Sequence, residues 1–162
     1  MLIFIAKKKM TYLSITVVHI HENRLFGARD TTITVIDLAA KPSPTQVATF
    51  NVQNRVRSII TLDANTLLLG EETGTIQVAR ISTYGTISGF KLFGTIHDMC
   101  LMRKAPVNNI VEVAIAGVGG ITVLECLPNS NYTFKIKKDY GFDQAVTSVA
   151  VVEEGKSVIF SQ

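Results

Sequence analysis

Apolar and polar positions along this chain alternate in short runs, and no stretch keeps a 3.6-residue apolar period over helical length. Period-two alternation is the mark of β-strands, because successive side chains leave a strand on opposite faces. The runs are also grouped. Four times a group opens with the order apolar, variable, small polar, apolar: Tyr12-Leu13-Ser14-Ile15, Val56-Arg57-Ser58-Ile59, Ile96-His97-Asp98-Met99 and Val146-Thr147-Ser148-Val149. The openings recur every ~40–50 residues, the period of units built from a few strands and turns.

Within the second unit, Val56–Leu62 reads as a β-branched strand, Asp63-Ala64-Asn65 as a turn and Thr66–Gly70 as a second strand closed by glycine. Glu71-Glu72-Thr73-Gly74 turns the chain into a half-buried third strand, Thr75–Ile81, and a weaker fourth follows near Ile87–Phe93. The first unit fits the same frame with Ser14–Ile20, Arg24–Ala28, Thr32–Leu38 and Val47–Val52, and Gly27 stands where Gly70 does. In the third unit the strands are Asp98–Met102, Ile110–Ala116, Ile121–Leu127 and Thr133–Lys137. The fourth has Val146–Val152 and Ser157–Phe160, and a further strand, Leu2–Ala6, precedes the first unit. Strands apolar on both faces suit sheets that stack face to face around an axis. The expectation is all-β: about three and a half four-stranded blades of an incomplete β-propeller. They form one domain over residues 1–162, with units of approximately 12–55, 56–95, 96–145 and 146–162.

Three features resemble the WD40-like β-propellers. They are the Val56-x-Ser58-Ile59 and Val146-x-Ser148-Val149 openings, the Glu72-Thr73-Gly74-Thr75-Ile76 turn into a strand, and Ile36-Asp37, standing where that family ends its third strand with Trp-Asp. The chain departs from that pattern in having no tryptophan. Ala79-Arg80 and Leu124-Glu125 occupy the Trp-Asp place in the next two units, and no Gly-His dipeptide opens a unit. The family's buried Asp–His–Ser–Trp network is therefore not carried over. The citron-homology propellers of signalling kinases and vesicle-tethering proteins are resembled about as well. The resemblance implies a non-catalytic protein–protein interaction scaffold that presents inter-strand loops. The alternative is a regulatory propeller segment of a larger signalling kinase or vesicle-trafficking protein acting with small GTPases. Arg103–Asn109 and Lys41–Thr45 are the loops expected to make specific contacts.

Composition narrows the classes further. At 47% hydrophobic and 18% charged the chain is globular rather than disordered. Its net charge of +3 rests mainly on the Lys7-Lys8-Lys9 run, which reads as a solvated connection rather than a polybasic membrane or RNA contact. No broad basic face is indicated, so nucleic acid is not an expected partner. Cys100 and Cys126 make neither a disulfide framework nor a zinc motif. No secretory signal and no 18-residue apolar window is present, so a cytoplasmic protein without a transmembrane span is expected. Unclosed blades expose strand edges, so completion by further blades or by self-association is expected as well.

Candidate chemistry is thin. His19-x-His21 puts two imidazoles on one strand face, but His97, Cys100 and Cys126 lie in other units, so a metal site lacks ligands. Gly117-x-Gly119-Gly120 resembles half of a dinucleotide fingerprint, yet the strand Ile121–Glu125 follows where a helix is required. A hairpin turn is the better reading. Gly70–Gly74 lacks the Lys-Ser/Thr of a P-loop. Ser58 and Ser148 recur in register, which suits strand hydrogen bonding better than nucleophilic catalysis. Glu71-Glu72 and Glu153-Glu154 read as solvated turn acids. Lys135, Lys137 and Lys138 read as the outward face of an outer strand, and Arg24, Arg55 and Arg57 as charges on one loop edge. No catalytic, cofactor-binding or metal-binding residue is expected.

Overall fold

A computed structural model describes residues 15–104, 110–127, 132–153 and 157–162. Leu2–Ala6, Lys7–Lys9 and most of the first opening phrase lie outside them. Every element among the described residues is a strand. The first sheet runs β1 (Val17–His21), β2 (Arg24–Arg29), β3 (Thr32–Asp37) and β4 (Thr45–Asn51), and the second β5 (Val56–Asp63), β6 (Thr66–Glu71), β7 (Thr75–Arg80) and β8 (Gly85–Lys91). The third is β9 (Ile96–Lys104), β10 (Val111–Gly117), β11 (Gly120–Leu127) and β12 (Thr133–Gly141), and the fourth has β13 (Ser148–Glu153) and β14 (Ser157–Ser161). Within each sheet consecutive strands are antiparallel neighbours, and the described sheets form a row that does not close into a ring. These are the blades the repeat predicts. One boundary differs by several residues: β12 runs on to Gly141 because it pairs along the whole of β11, from Leu127↔Thr133 to Gly120↔Gly141.

The first strands β1, β5, β9 and β13 pack against one another in succession. Between the sheets lie three apolar layers. Phe26, Ala28, Ile33 and Val35 meet Leu67, Leu69 and Ala79. Leu68, Ile76 and Val78 meet Met99, Val113, Ile115 and Leu124. Ala114, Ala116 and Ile121 meet Val146 and Val149. The triple leucine of β6 follows directly from this stacking, since Leu67 and Leu69 face one layer and Leu68 the next. Burying each such side chain contributes about 1.5–3 kcal/mol. The fourth strands are the outermost, and β12 is exposed along almost its whole length.

Connections fall at two ends of the row. What we call the lower end carries the turns between first and second strands and between third and fourth. At the upper end are the second-to-third turns and the connections between sheets. Gly27 and Gly70 do not close their strands; both lie inside them. A Cβ on Gly70 would come within 2.9 Å of Ile96 Cγ2, so the small residue admits the next inner strand.

Candidate functional site

The repeated opening phrase places its small polar residue on successive inner strands, and the structure joins three of them. Ser58 Oγ donates to Asp98 Oδ1 at 3.2 Å and accepts the Met99 N–H at 3.1 Å. Asp98 Oδ1 also accepts that Met99 N–H at 2.8 Å. On its other side, Asp98 Oδ2 accepts from Ser148 Oγ at 2.9 Å and from the Val149 N–H at 3.1 Å. The plan repeats: the polar group of one blade accepts the N–H of the residue after the polar position in the next. Each strand edge would otherwise leave an N–H without a partner between sheets. Ser58 and Ser148 thus direct their hydroxyl hydrogens to one carboxylate. They hold blades together.

His19 plays a similar part between β1 and β5, its Nε2 lying 2.5 Å from Thr61 Oγ1. Burial, with the neighbouring His21 second, holds its pKa below the usual 6.5. The sign follows. Unfolded chains bind a proton at His19 near 6.5 while the folded chain resists it, so this contribution is complete above about pH 6.5 and is lost as pH falls through the depressed folded value. The urea midpoint should therefore fall further between pH 7 and pH 5 in the wild type than in His19→Gln; equal falls would dismiss the argument.

The remaining candidates disperse. Among the described residues no three His, Cys, Asp or Glu side chains converge as metal ligands. Burial raises Cys126 to about 12, and burial together with Asp98 raises Cys100 to about 11, so both rest as thiols at neutral pH. The Gly117–Gly120 segment is a hairpin turn between β10 and β11, with Gly117 and Gly120 paired. Gly120 has φ +135°, and a Cβ there would sit 1.9 Å from the Tyr140 carbonyl oxygen. Its glycine serves the turn.

Two readings need correction. Glu71 is not a solvated turn acid: it is wholly buried at the end of β6, where Asn54 Nδ2 donates to its Oε2 at 2.7 Å. Its neighbour Glu72 is the surface group and lies 3.4 Å from Arg57. The alternation of β6 extends one residue beyond the glycine, which carries Glu71 under the Asn54 loop. Nor do three arginines share one edge, because Arg24 begins β2 at the lower end while Arg55 and Arg57 flank the start of β5 at the upper. Glu153 ends β13 and Glu154 lies outside the described residues.

Other expectations fit. Lys135, Lys137 and Lys138 stand exposed on outermost β12, with Lys137 Nζ 2.5 Å from Glu112 and 3.7 Å from Glu125. The expected Arg103–Asn109 loop needs correction at its start, because Arg103 and Lys104 continue β9 and pair with Glu112 and Val111; residues 105–109 lie outside the described part. The Lys41–Thr45 loop lies at the lower end. Sequence reasoning missed Tyr132 at that end. Its hydroxyl donates to Asp63 Oδ2 at 2.5 Å and lies 2.9 Å from Thr66 Oγ1, tying the third sheet to the second. Burial and then the Asp63 bond raise its pKa. No local pattern marks a tyrosine for a bond to residues so distant in sequence.

No protein-family model matches this chain, and no curated protein matches it in sequence. Solved structures match in fold. The computationally designed Ika4 protein is 19% identical with a TM-score of 0.65, over 91% of this chain and 90% of that one. The Cps50 (Swd1) β-propeller domain of Myceliophteria thermophila is 11% identical with a TM-score of 0.67, over 90% of this chain and 48% of that one. The WD40 β-propeller domain of Doa1 is 15% identical with a TM-score of 0.64, over 86% and 43%. The fold is that of WD40-like propeller blades, and the chain spans less than half of the Swd1 and Doa1 domains.

Proposed function

We propose that this chain is a non-catalytic protein–protein interaction scaffold, its four units forming one domain. One observation carries the reading. The side chains that could do chemistry, Ser58, Asp98, Ser148 and His19, are engaged in joining adjacent sheets, and the loops at the two ends remain for recognition. The fold likeness to WD40 domains supports it as analogy only. Partners bind through the lower-end loops, with Lys41–Thr45 the first to test. No helix among the described residues is long and apolar enough to cross a membrane, and we place the protein in the cytoplasm.

An equal-length Gly-Ser replacement of Lys41–Thr45 should keep the β-sheet circular dichroism while removing specific partners from a quantitative affinity purification. An unchanged partner set would count against that loop. A substrate turnover abolished by Ser58→Ala with the fold intact would end the non-catalytic reading.

A second reading has its own observation, coverage of under half of the natural propellers. In it, these blades are a regulatory segment of a longer signalling or vesicle-trafficking protein acting with small GTPases. Flanking coding sequence with more units of the same opening phrase would support it, and a stop codon at residue 163 would not.

A further inference from the structure

We infer that a groove between the second and third sheets at the upper end receives a lysine or arginine side chain from an extended segment of a partner polypeptide. The groove holds about 220 Å³, with Leu92, Ile96, Ile115, Val118 and Ile136 as apolar lining and Asp139 as the one acidic side chain. That is below the ~300–1,000 Å³ of small-molecule pockets and suits a single side chain.

Strand register explains why an acid lies there. Ile115, Thr122 and Asp139 are consecutive cross-strand partners on β10, β11 and β12, so they share one face, and Ile115 belongs to the core between the second and third sheets. Asp139 continues that face outward from the core to the rim of the groove. Among the described residues no hydrogen bond or ion pair engages its carboxylate. The nearby cations have partners other than Asp139. Lys138 lies 4.7 Å from the centre of the Tyr140 ring, Lys137 is paired with Glu112, and Lys91 donates to the Thr73 carbonyl oxygen.

An apolar wall ending in one unpaired acceptor matches the chemistry of a long basic side chain. Lysine and arginine lay their methylene stems along apolar surface and keep the charged head at a polar rim. A neutral aliphatic group would fill the wall and leave the carboxylate without a partner; an acidic one would be repelled. Phe93 beside the groove is 100% exposed, an apolar shelf for the residue next to the basic one. The geometry thus selects a basic residue with an apolar neighbour. This inference rests on the scaffold reading but concerns the end opposite Lys41–Thr45, so either can fail without the other.

The test uses three blocked tripeptides, acetyl-Leu-Arg-Leu-amide and its citrulline and glutamate counterparts, titrated into the ¹⁵N-labelled chain at low salt. The arginine peptide should shift the amides of Val118, Gly119, Asp139 and Tyr140 saturably. The citrulline peptide should bind about three- to fivefold more weakly, as expected for loss of a rim ion pair. Asp139→Asn should bring the arginine peptide down to the citrulline level, whereas Asp143→Asn, an exposed acid on the same end, should not. Equal binding of arginine and citrulline peptides would overturn the inference, as would shifts clustered away from the groove, no saturable response, or an Asp139→Asn chain that binds like wild type.

Discussion

Asp98→Ala is expected to destabilise the fold by about 2–4 kcal/mol, and the loss should be uneven along the row. Bonds to an ionised group contribute about 1.5–3 kcal/mol each when removed, and Asp98 accepts from blades on both sides. The two sides are not equivalent. Ser58 still accepts the Met99 N–H after the substitution, so the second and third sheets keep a link. The Val149 N–H and the Ser148 hydroxyl lose their shared acceptor, and Val149 is only 4% exposed. Among the described residues the fourth sheet has two strands and the smallest of the three apolar layers, so the seam at Asp98 matters most there. Native-state amide exchange should show protection falling first in β13 and β14 while β5 and β6 keep theirs. Asp98→Asn retains one acceptor oxygen and should cost about half as much. A double-mutant cycle of Asp98→Ala with Ser148→Ala should show coupling well above that expected of distant sites. A uniform loss of protection, or a cost below about 0.5 kcal/mol, would show that the seam does not hold the blades together.

The seam also shows how far the sequence reaches. Its spacing is legible: Ser58, Asp98 and Ser148 occupy one position of a repeated phrase, and strands with alternating or continuous apolar runs fall where local periodicity puts them. That Asp98 replaces serine in the middle copy looks like drift on the page. In space, the second carboxylate oxygen is what lets one residue serve two neighbours. Contacts between blades link residues 40 to 50 positions apart, as the Ser58–Asp98 and Asp98–Ser148 bonds do, and no local pattern encodes such pairs. The same limit hid Tyr132, whose partners Asp63 and Thr66 lie in the previous sheet. Glu71 was misread for a different reason. Two consecutive acids beside a glycine look like a solvated turn, but strand alternation continued through Gly70 turns the first inward and leaves the second outside.

Asn54→Ala should be as damaging as the loss of Asp98, about 2–4 kcal/mol, although it removes only one hydrogen bond. Glu71 is wholly buried, its Oε2 accepts from Asn54, and its Oε1 has no partner among the described residues. Without the Asn54 amide both carboxyl oxygens are left without a donor where water is excluded, and the cost is the desolvation of the group rather than the modest net value of the bond. Backbone contacts prevent Glu71 from escaping to solvent. Its carbonyl accepts the Gly74 N–H at 3.0 Å, the following N–H at Glu72 is held by the Arg55 carbonyl at 2.9 Å, and Glu71 is paired with Val56 across β5. The reverse substitution should be milder. Asn54 is only half-buried, so in Glu71→Met its amide turns to water while an unbranched apolar side chain of similar volume fills the site. Combining the two should therefore restore stability relative to Asn54→Ala alone, the opposite of additive damage. Urea denaturation of the four proteins decides the matter. If Asn54→Ala costs less than about 0.5 kcal/mol, or the double variant is as unstable as the sum of its parts, the buried acid is not held by Asn54.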